Sequence, residues 1–503
     1  MIERELFNYC KCGFLDEEHL RRIIDRHEMK LAPDETLRVE HYTFFLEACR
    51  NERVTESIIR CLLEYFPEAA RASYDIGSGI HYACDNPNVT LNIIQLLIDA
   101  APDSVRTLTR SGKLPLHHLC GNKGVDEATS IETLNLLIEK CPEAVFHADN
   151  DGNLPTHRAA WGGRTPEFCR VLIEACPGSE RRTASNGNLP LHYACLTNTL
   201  ATVEYFYKLY PDAINHANST AGGYYPIHYA IMSVAHWTKA DGSRICLFEN
   251  IVHKSTVAVD IVKYLLDCDP NVKLQKVEGK FPLHYACILE YNCANIRAAL
   301  EIIKLIYDAY PESIRHEDSE GHMPLHYHSM NPKQDEDAAL AILKLLIEKC
   351  PEAVRHASSK GNLPIHHAMS TSKPPEFCRV LIEAYPGSER MSNVNGVPLL
   401  HIACANNTVA TVEYLYKLHP DAINHSVATG LYPIHFAIIG LINRSDPESV
   451  IDIVKFLLDC DPSVKVQKVD GCSLLHLACA REDEDSNTHI GIEVVKAIYD
   501  AHP

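Results

Sequence analysis

One phrase recurs along this chain and limits what it can fold into. "GNLPLHYAC" begins at Gly187, and close relatives of it begin at Gly112, Gly152, Gly223, Gly279, Gly321, Gly361 and Gly430. Weaker copies surround His81, His401 and His476. Aligned on one another, the copies place His81, His117, His157, His192, His228, His284, His326, His366, His401, His435 and His476 in one slot, 11 of the chain's 28 histidines. A catalyst needs one active centre and not a regular series of them, so the repetition argues for architecture.

The copy from Gly187 shows what one unit contains. Pro190 suits the first turn of a helix, where its missing N–H is not needed. That helix predicts a run through Tyr193, Ala194 and Cys195 to a polar break at 197–199, before a second helix, "ATVEYFYKLY", stopped by Pro211. In the preceding copy, Phe168, Val171, Leu172 and Ala175 of "EFCRVLIEAC" fall at helical spacing on one face. Small and polar residues then lead back to the next Gly, as an extended or turn-rich finger. From the helix-closing Pro to the next aligned His the spacing is 14 or 15 residues in ten of eleven cases and 17 before His228. From His to the next Pro it ranges from 19 to 42 residues. The connector is thus pinned in length while insertions fall between the two helices. The largest, at about 233–257, contains Trp237.

A longer period overlies the short one. "VLIEACPGSERRTASNGNLPLHYAC" at 171–195 returns as "VLIEAYPGSERMSNVNGVPLLHIAC" at 380–404, an offset of 209. A block of five units is therefore duplicated, and a third block opens near His476 and runs to Pro503. Residues 1–38 differ: "LDEEHLRRIIDRHE" gathers Leu20, Ile23, Ile24 and His27 on one face, as a capping helix would. Residues 44–69 read as a unit that has lost its Gly-Pro-His but kept both helices. The predicted organisation is an N-terminal cap over 1–38 and a repeat array over 39–503.

Bulk properties narrow the function classes. The net charge of −19 is spread along the chain, against the basic patches that nucleic acid or an anionic membrane would require. No window has the length and apolarity of a membrane span. Of the 20 cysteines, Cys84, Cys120, Cys195, Cys287, Cys404 and Cys479 each follow an aligned His by three residues, while Cys141, Cys176 and Cys350 precede helix-closing prolines. Cysteines tied to a repeat slot behave as small buried apolar residues. They imply free thiols and a cytosolic or nuclear protein rather than a disulfide framework.

A unit of roughly 33 residues opening with Gly-x-x-Pro-Leu-His-x-Ala resembles the ankyrin repeat. The resemblance covers about residues 39–503. It implies an all-α solenoid of about 11–12 stacked helix-turn-helix units, with short hairpin-like fingers along one edge and a concave surface that binds a protein partner. Two features depart from the family pattern. Its usual Thr before the Pro is replaced by Leu114, Leu154, Leu189, Tyr225, Phe281, Met323, Leu363 and Tyr432, while Ser473 keeps a small hydroxyl residue there. An apolar residue there can pack on the first turn as a hydrophobic staple does. The family's Gly-Ala after the second helix is also replaced, by Pro-x-Ala.

For the aligned histidines the expected role is a bond to neighbouring backbone that ties adjacent fingers together. No motif supplies a nucleophile or carboxylate in register with them. His117–His118 and His366–His367 are adjacent on a helix and so point apart, which disfavours a bidentate metal site. The lone "CKC" at Cys10–Cys12 has no second half. The expectation is no catalytic residue, no metal and no cofactor. The slot after each His is the better place to seek a binding surface, because it reads Tyr82, His118, Arg158, Tyr193, Tyr229, Tyr285, Tyr327, His367, Ile402, Phe436 and Leu477. Tyr193, Tyr229, Tyr285, Tyr327, His118 and Arg158 are the partner-binding candidates, either as interface anchors or as packing on the first helices. The last helix, "GIEVVKAIYDAHP", would present Val495 and Ile498 to a unit that does not follow, with self-association as one consequence. The expected function is a non-catalytic protein-binding scaffold or adaptor; the alternative is the recognition arm of a larger enzyme or signalling protein.

Overall fold

A computed structural model describes residues 2–13, 15–28, 42–75, 77–197, 199–219, 223–234, 255–291, 295–332, 335–440, 448–469, 471–479 and 488–501. The described residues are mostly helical and divide between two compact units, one within Met1–Ser233 and Asn250–Val272, the other within Val234–Glu249 and Lys273–Pro503. Trp237 and most of the 233–257 insertion lie outside the described residues.

In the first unit, the short helices Thr43–Arg50, Gly79–Asp85, Pro115–Gly121, Pro155–Trp161, Pro190–Thr197 and Pro226–Met232 pack one on the next. The longer helices Glu56–Tyr65, Leu91–Ala100, Glu127–Lys140, Pro166–Ala175, Leu200–Leu209 and Ser255–Cys268 form a second row. The second unit repeats this arrangement, with first helices from Pro282–Ile288 to Leu474–Cys479 and second helices from Ile296–Ala309 to Thr488–Asp500. The N-terminal segment also holds a helix pair, Ile2–Lys11 and Glu17–Glu28, which packs on Thr43–Arg50 and Glu56–Tyr65. Leu20, Ile23 and Ile24 are buried there as their spacing predicts, while the side chain of His27 lies outside the described residues.

Local chemistry accounts for these elements. Proline opens most first helices, preceded by an extended residue such as Leu114, Leu154 or Leu189, all three buried in the staple position. Thr55, Thr90, Asp126, Thr165 and Asp335 cap second helices by accepting a backbone N–H three residues on. The Pro after a second helix starts a five-residue 3-10 turn in most copies, as in Pro142–Phe146 and Pro351–Arg355, while Pro177 and Pro386 are followed by the three-residue turns Ser179–Arg181 and Ser388–Arg390. The buried face of Pro166–Ala175 is Phe168, Cys169 and Leu172; Val171 and Ala175 are half-buried, so the apolar stripe sits slightly off the one read from spacing.

The fingers are tight turns. Asp149 N–H donates to Asn153 O (3.0 Å), Gly152 N–H donates to Asp149 O (2.8 Å), and Gly152 takes φ +76°, which a side chain would strain. Successive fingers are joined by backbone bonds from Asn150 N–H to Ser111 O (3.0 Å), Ser185 N–H to Asp151 O (2.9 Å) and Ser219 N–H to Asn186 O (2.9 Å). Among the described residues, named strands occur only in the fingers Ser73–Tyr74/Gly77–Ser78 and Lys468–Val469/Cys472–Ser473.

At Thr488–Asp500 the expected apolar face is differently aimed. Ile498 is buried and Val495 half-buried, because the helix turns that side toward Ser449–Cys460 and Leu474–Cys479. The exposed apolar residues of this helix are Ile492 and Tyr499.

Candidate functional site

Five of the aligned imidazoles, His81, His117, His157, His192 and His284, are held from two sides. In the copies that open with Pro, Nδ1 accepts the N–H of the residue before it: Leu114 to His117 (3.2 Å), Leu154 to His157 (3.1 Å), Leu189 to His192 (3.2 Å), Phe281 to His284 (3.2 Å). An amide must donate, so the ring proton sits on Nε2, which reaches the following copy. His81 donates to Lys113 O (3.2 Å), His117 to Asn153 O (3.2 Å), His157 to Arg182 O (2.9 Å), His192 to His216 O (3.1 Å) and Tyr224 O (3.3 Å), and His401 to His425 O (3.0 Å). Burial favours the neutral ring. It pushes His117, His192 and His326 down to about 3, and His81, His157, His284 and His401 down to about 4. With both nitrogens of His81, His117, His157, His192 and His284 committed to backbone, neither is available in those rings as a general base.

Two further ladders run beside this one. The connector histidines His147, His216 and His356 direct Nε2 backward to Gly112 O (3.0 Å), Gly187 O (3.2 Å) and Gly321 O (3.2 Å); with His117 and His192 reaching forward, the first two of these joints carry an imidazole in each direction. Five residues after the aligned His, Asn122 donates to Cys84 O (2.9 Å) and Asn86 O (3.0 Å), while Asn331 donates to Ile288 O and Leu289 O. Thr197 and Thr371 fill the same slot and donate to Ala160 O (3.0 Å) and Ser329 O (2.9 Å). Where the slot holds Gly162 or Gly440, a Cβ would lie 2.2 Å from Cys120 O or 2.4 Å from Ala405 O. The sequence motif missed this slot because Asn, Thr and Gly share no letter. They share a requirement: bond the preceding helix end, or leave room for its carbonyl.

The slot after each His is explained by the same joints. Its residue meets the edge of the previous copy's imidazole: His81–His118 at 5.2 Å between centroids, His157–Tyr193 at 6.2 Å, His192–Tyr229 at 5.4 Å, His284–Tyr327 at 5.9 Å and His401–Phe436 at 5.3 Å, all near-perpendicular. Polar ends are also tied down. Tyr193 accepts from Asn186 Nδ2 (3.2 Å); Tyr229 donates to Asn188 Oδ1 (2.9 Å) and accepts from Asn218 Nδ2 (3.0 Å). Tyr327 donates to Asp318, and His118 Nδ1 lies 2.6 Å from Asp85 Oδ2.

Arg158 pairs with the fully buried Asp149 through Nε (3.0 Å) and a second, shorter bond from Nη2. Burial works to raise Asp149, but the guanidinium outweighs it and holds the carboxyl below its usual range. The other oxygen of Asp149 accepts Asp151 N–H (3.0 Å) and Asn153 N–H (2.8 Å), closing the finger. Arg158 and Tyr285 are buried, whereas His118, Tyr193, Tyr229 and Tyr327 are half-buried. His118, Tyr193 and Tyr229 stand on first helices of the first unit, which also carries the exposed finger residue Asp151; Tyr327 stands on a first helix of the second unit, which carries the exposed finger residues Glu320 and Lys360.

Among the described residues, the cysteines three after the aligned His are in no disulfide, and all are buried except exposed Cys479. No group of three or more His, Cys, Asp or Glu is arranged to hold a metal ion among the described residues. No described helix is long and apolar enough to cross a membrane. No protein-family model matches the chain, and no curated protein matches its sequence.

Proposed function

We propose that this chain is a non-catalytic scaffold, an ankyrin-type helical solenoid that binds a protein partner along the face formed by its first helices and fingers. One observation carries the reading: six of the recurrent histidines, the residues best suited to chemistry, are spent on bonds between copies. What remains for recognition is a periodic row of half-buried aromatic and imidazole edges bordered by charged fingers. Apart from exposed Cys479, the cysteines at the repeat slot are buried, and none of them is in a disulfide, in keeping with a cytosolic or nuclear setting.

The test is capture of partners from the native cell with the intact chain, followed by lysine cross-linking and mass spectrometry. Lys113, Lys280 and Lys360 stand on fingers, while Lys208, Lys344 and Lys417 stand on second helices. Cross-links concentrated in the first set are the expected result. Cross-links confined to the second set would overturn the choice of face. Turnover by the purified chain alone would overturn the non-catalytic reading.

A further inference from the structure

One joint departs from its sister copies. Where Lys113, Asn153, Asn188 and Asn362 precede the Met, Leu or other staple residue in their fingers, the unit of His326 carries His322. Where Tyr193 and Tyr229 follow the aligned His, the next unit carries His367. The result is a triangle of imidazoles, with centroids 5.5 Å apart for His322–His326, 5.4 Å for His322–His367 and 5.8 Å for His326–His367. His356 stacks edge-on to His326 at 5.6 Å. His322 Nδ1, His326 Nε2 and His367 Nε2 are buried without a well-formed hydrogen bond.

We infer that the joint between the copies of His326 and His366 is an acid-operated breakpoint, which opens at a higher pH than the joints held by a single buried imidazole. The surroundings supply few counter-charges to prevent this. From its own finger, Asp318 Oδ1 and Glu320 Oε2 each stand 3.7 Å from His322 Nδ1. Asp318 already accepts two backbone N–H groups and the Tyr327 hydroxyl. Glu320 also faces Lys360 of the next finger (3.7 Å), and Glu317 is 3.3 Å from His356 Nε2. From the preceding copy, Lys280 lies over the Tyr327 ring at 5.6 Å. His322 can therefore be charged in place, but a second proton on His326 or His367 would sit about one ring away from the first, with no carboxylate of its own.

Burial holds all three rings below their ordinary proton affinity, so the closed joint excludes protons that the open one takes up. Below the ordinary imidazole range, each such ring raises the open population about tenfold per pH unit, and three rings together by up to about a thousandfold. The sister joint of the duplicated block puts Lys113 and Arg158 where this one has His322 and His367, leaving His117 as its buried imidazole with a resolved depression.

Hydrogen–deuterium exchange on the full chain between pH 7.5 and 5.5, corrected for intrinsic exchange, tests the inference. Peptides over 321–332 and 361–371 should open at higher pH than those over 112–122 and 152–162. The variant His322→Asn/His367→Tyr, which installs residues that other copies carry, should abolish the difference. Simultaneous opening of the four regions in the wild type would overturn the inference, and needs no variant. So would a folded double variant whose joint still opens early.

Discussion

Replacing His192 with Leu isolates what one aligned imidazole contributes. The ring is fully buried, accepts Leu189 N–H at 3.2 Å, donates to His216 O at 3.1 Å, and meets the Tyr229 ring at 5.4 Å. Leucine fills a similar volume but leaves the buried Leu189 N–H without a partner, at about 1–3 kcal/mol. Tyr224 O keeps its bond from Asn218 N–H (2.9 Å), so only His216 O loses its donor here, at about 1 kcal/mol. The ring contact adds about 0.5–1.5 kcal/mol, and the apolar gain of leucine returns about 1–2 kcal/mol. The expected net loss at pH 7.5 is centred on about 2.5 kcal/mol, within a span of about 0.5–4.5 kcal/mol, read as a lowered urea midpoint by far-ultraviolet circular dichroism.

Acid provides an internal check on the same variant. The native ring is pushed down to about 3, whereas the unfolded chain takes up its proton near 6.5. The unfolded state therefore binds more protons between these values, so this contribution is complete above pH 6.5 and is lost as pH falls. Between pH 7.5 and 5.5 the wild type loses about 1.4 kcal/mol through this one ring, and the leucine variant does not. The stability gap between the two should narrow by that amount. A gap that stays constant or widens, or a variant as stable as the wild type at pH 7.5, would refute the two-sided bond as the source of stability.

Other outcomes follow from the same joints. Gly162→Ala should lower the melting temperature by an amount equivalent to about 1–3 kcal/mol, because its Cβ meets Cys120 O at 2.2 Å, whereas Gly121→Ala, with open space around it, should be near neutral. Asn122→Ala should lose about 1–3 kcal/mol by stranding Cys84 O and Asn86 O, measurable by urea denaturation. The intact chain should unfold progressively as pH falls below about 6.5 and hold its stability from pH 7 to 8, followed by circular dichroism, since the aligned imidazoles from His81 to His401 share the sign worked out for His192. In native protein at pH 7.5, iodoacetamide should label Cys472 and Cys479 well before Cys84, Cys120, Cys195, Cys287 and Cys404, resolved by peptide mass spectrometry.

The parts of this fold that were legible in the sequence are those written in one repeated letter. Pro190 marked a helix start, Pro211 a helix end, and the constant Pro-to-His spacing marked a connector that cannot vary. The aligned His announced a bond between copies, though not its direction, because the acceptor lies 24 to 36 residues away on carbonyls that have no letter at all. Asn122, Thr197 and Gly162 escaped because one steric demand admits three residue types. The stripe of Tyr193, Tyr229 and Tyr327 was visible as a period, but periodicity alone cannot separate an anchor for a partner from a brace for a neighbouring ring. Val495 and Ile498 were misjudged because the helical face was set by packing on two earlier helices rather than by the sequence after them.

Where a forward and a backward imidazole meet, as for His117 with His147 and His192 with His216, the copies have the same pair of mating ends, like coupled railway carriages. A segment cut from one Gly to the next Gly takes one half of each coupling with it and presents the matching half at its other end. Whole copies, or a run of five, can therefore be inserted or lost without inventing a new contact, whereas a cut at any other phase leaves a carbonyl facing nothing. Growth of such a chain by unequal crossing-over is chemically easy only in whole carriages.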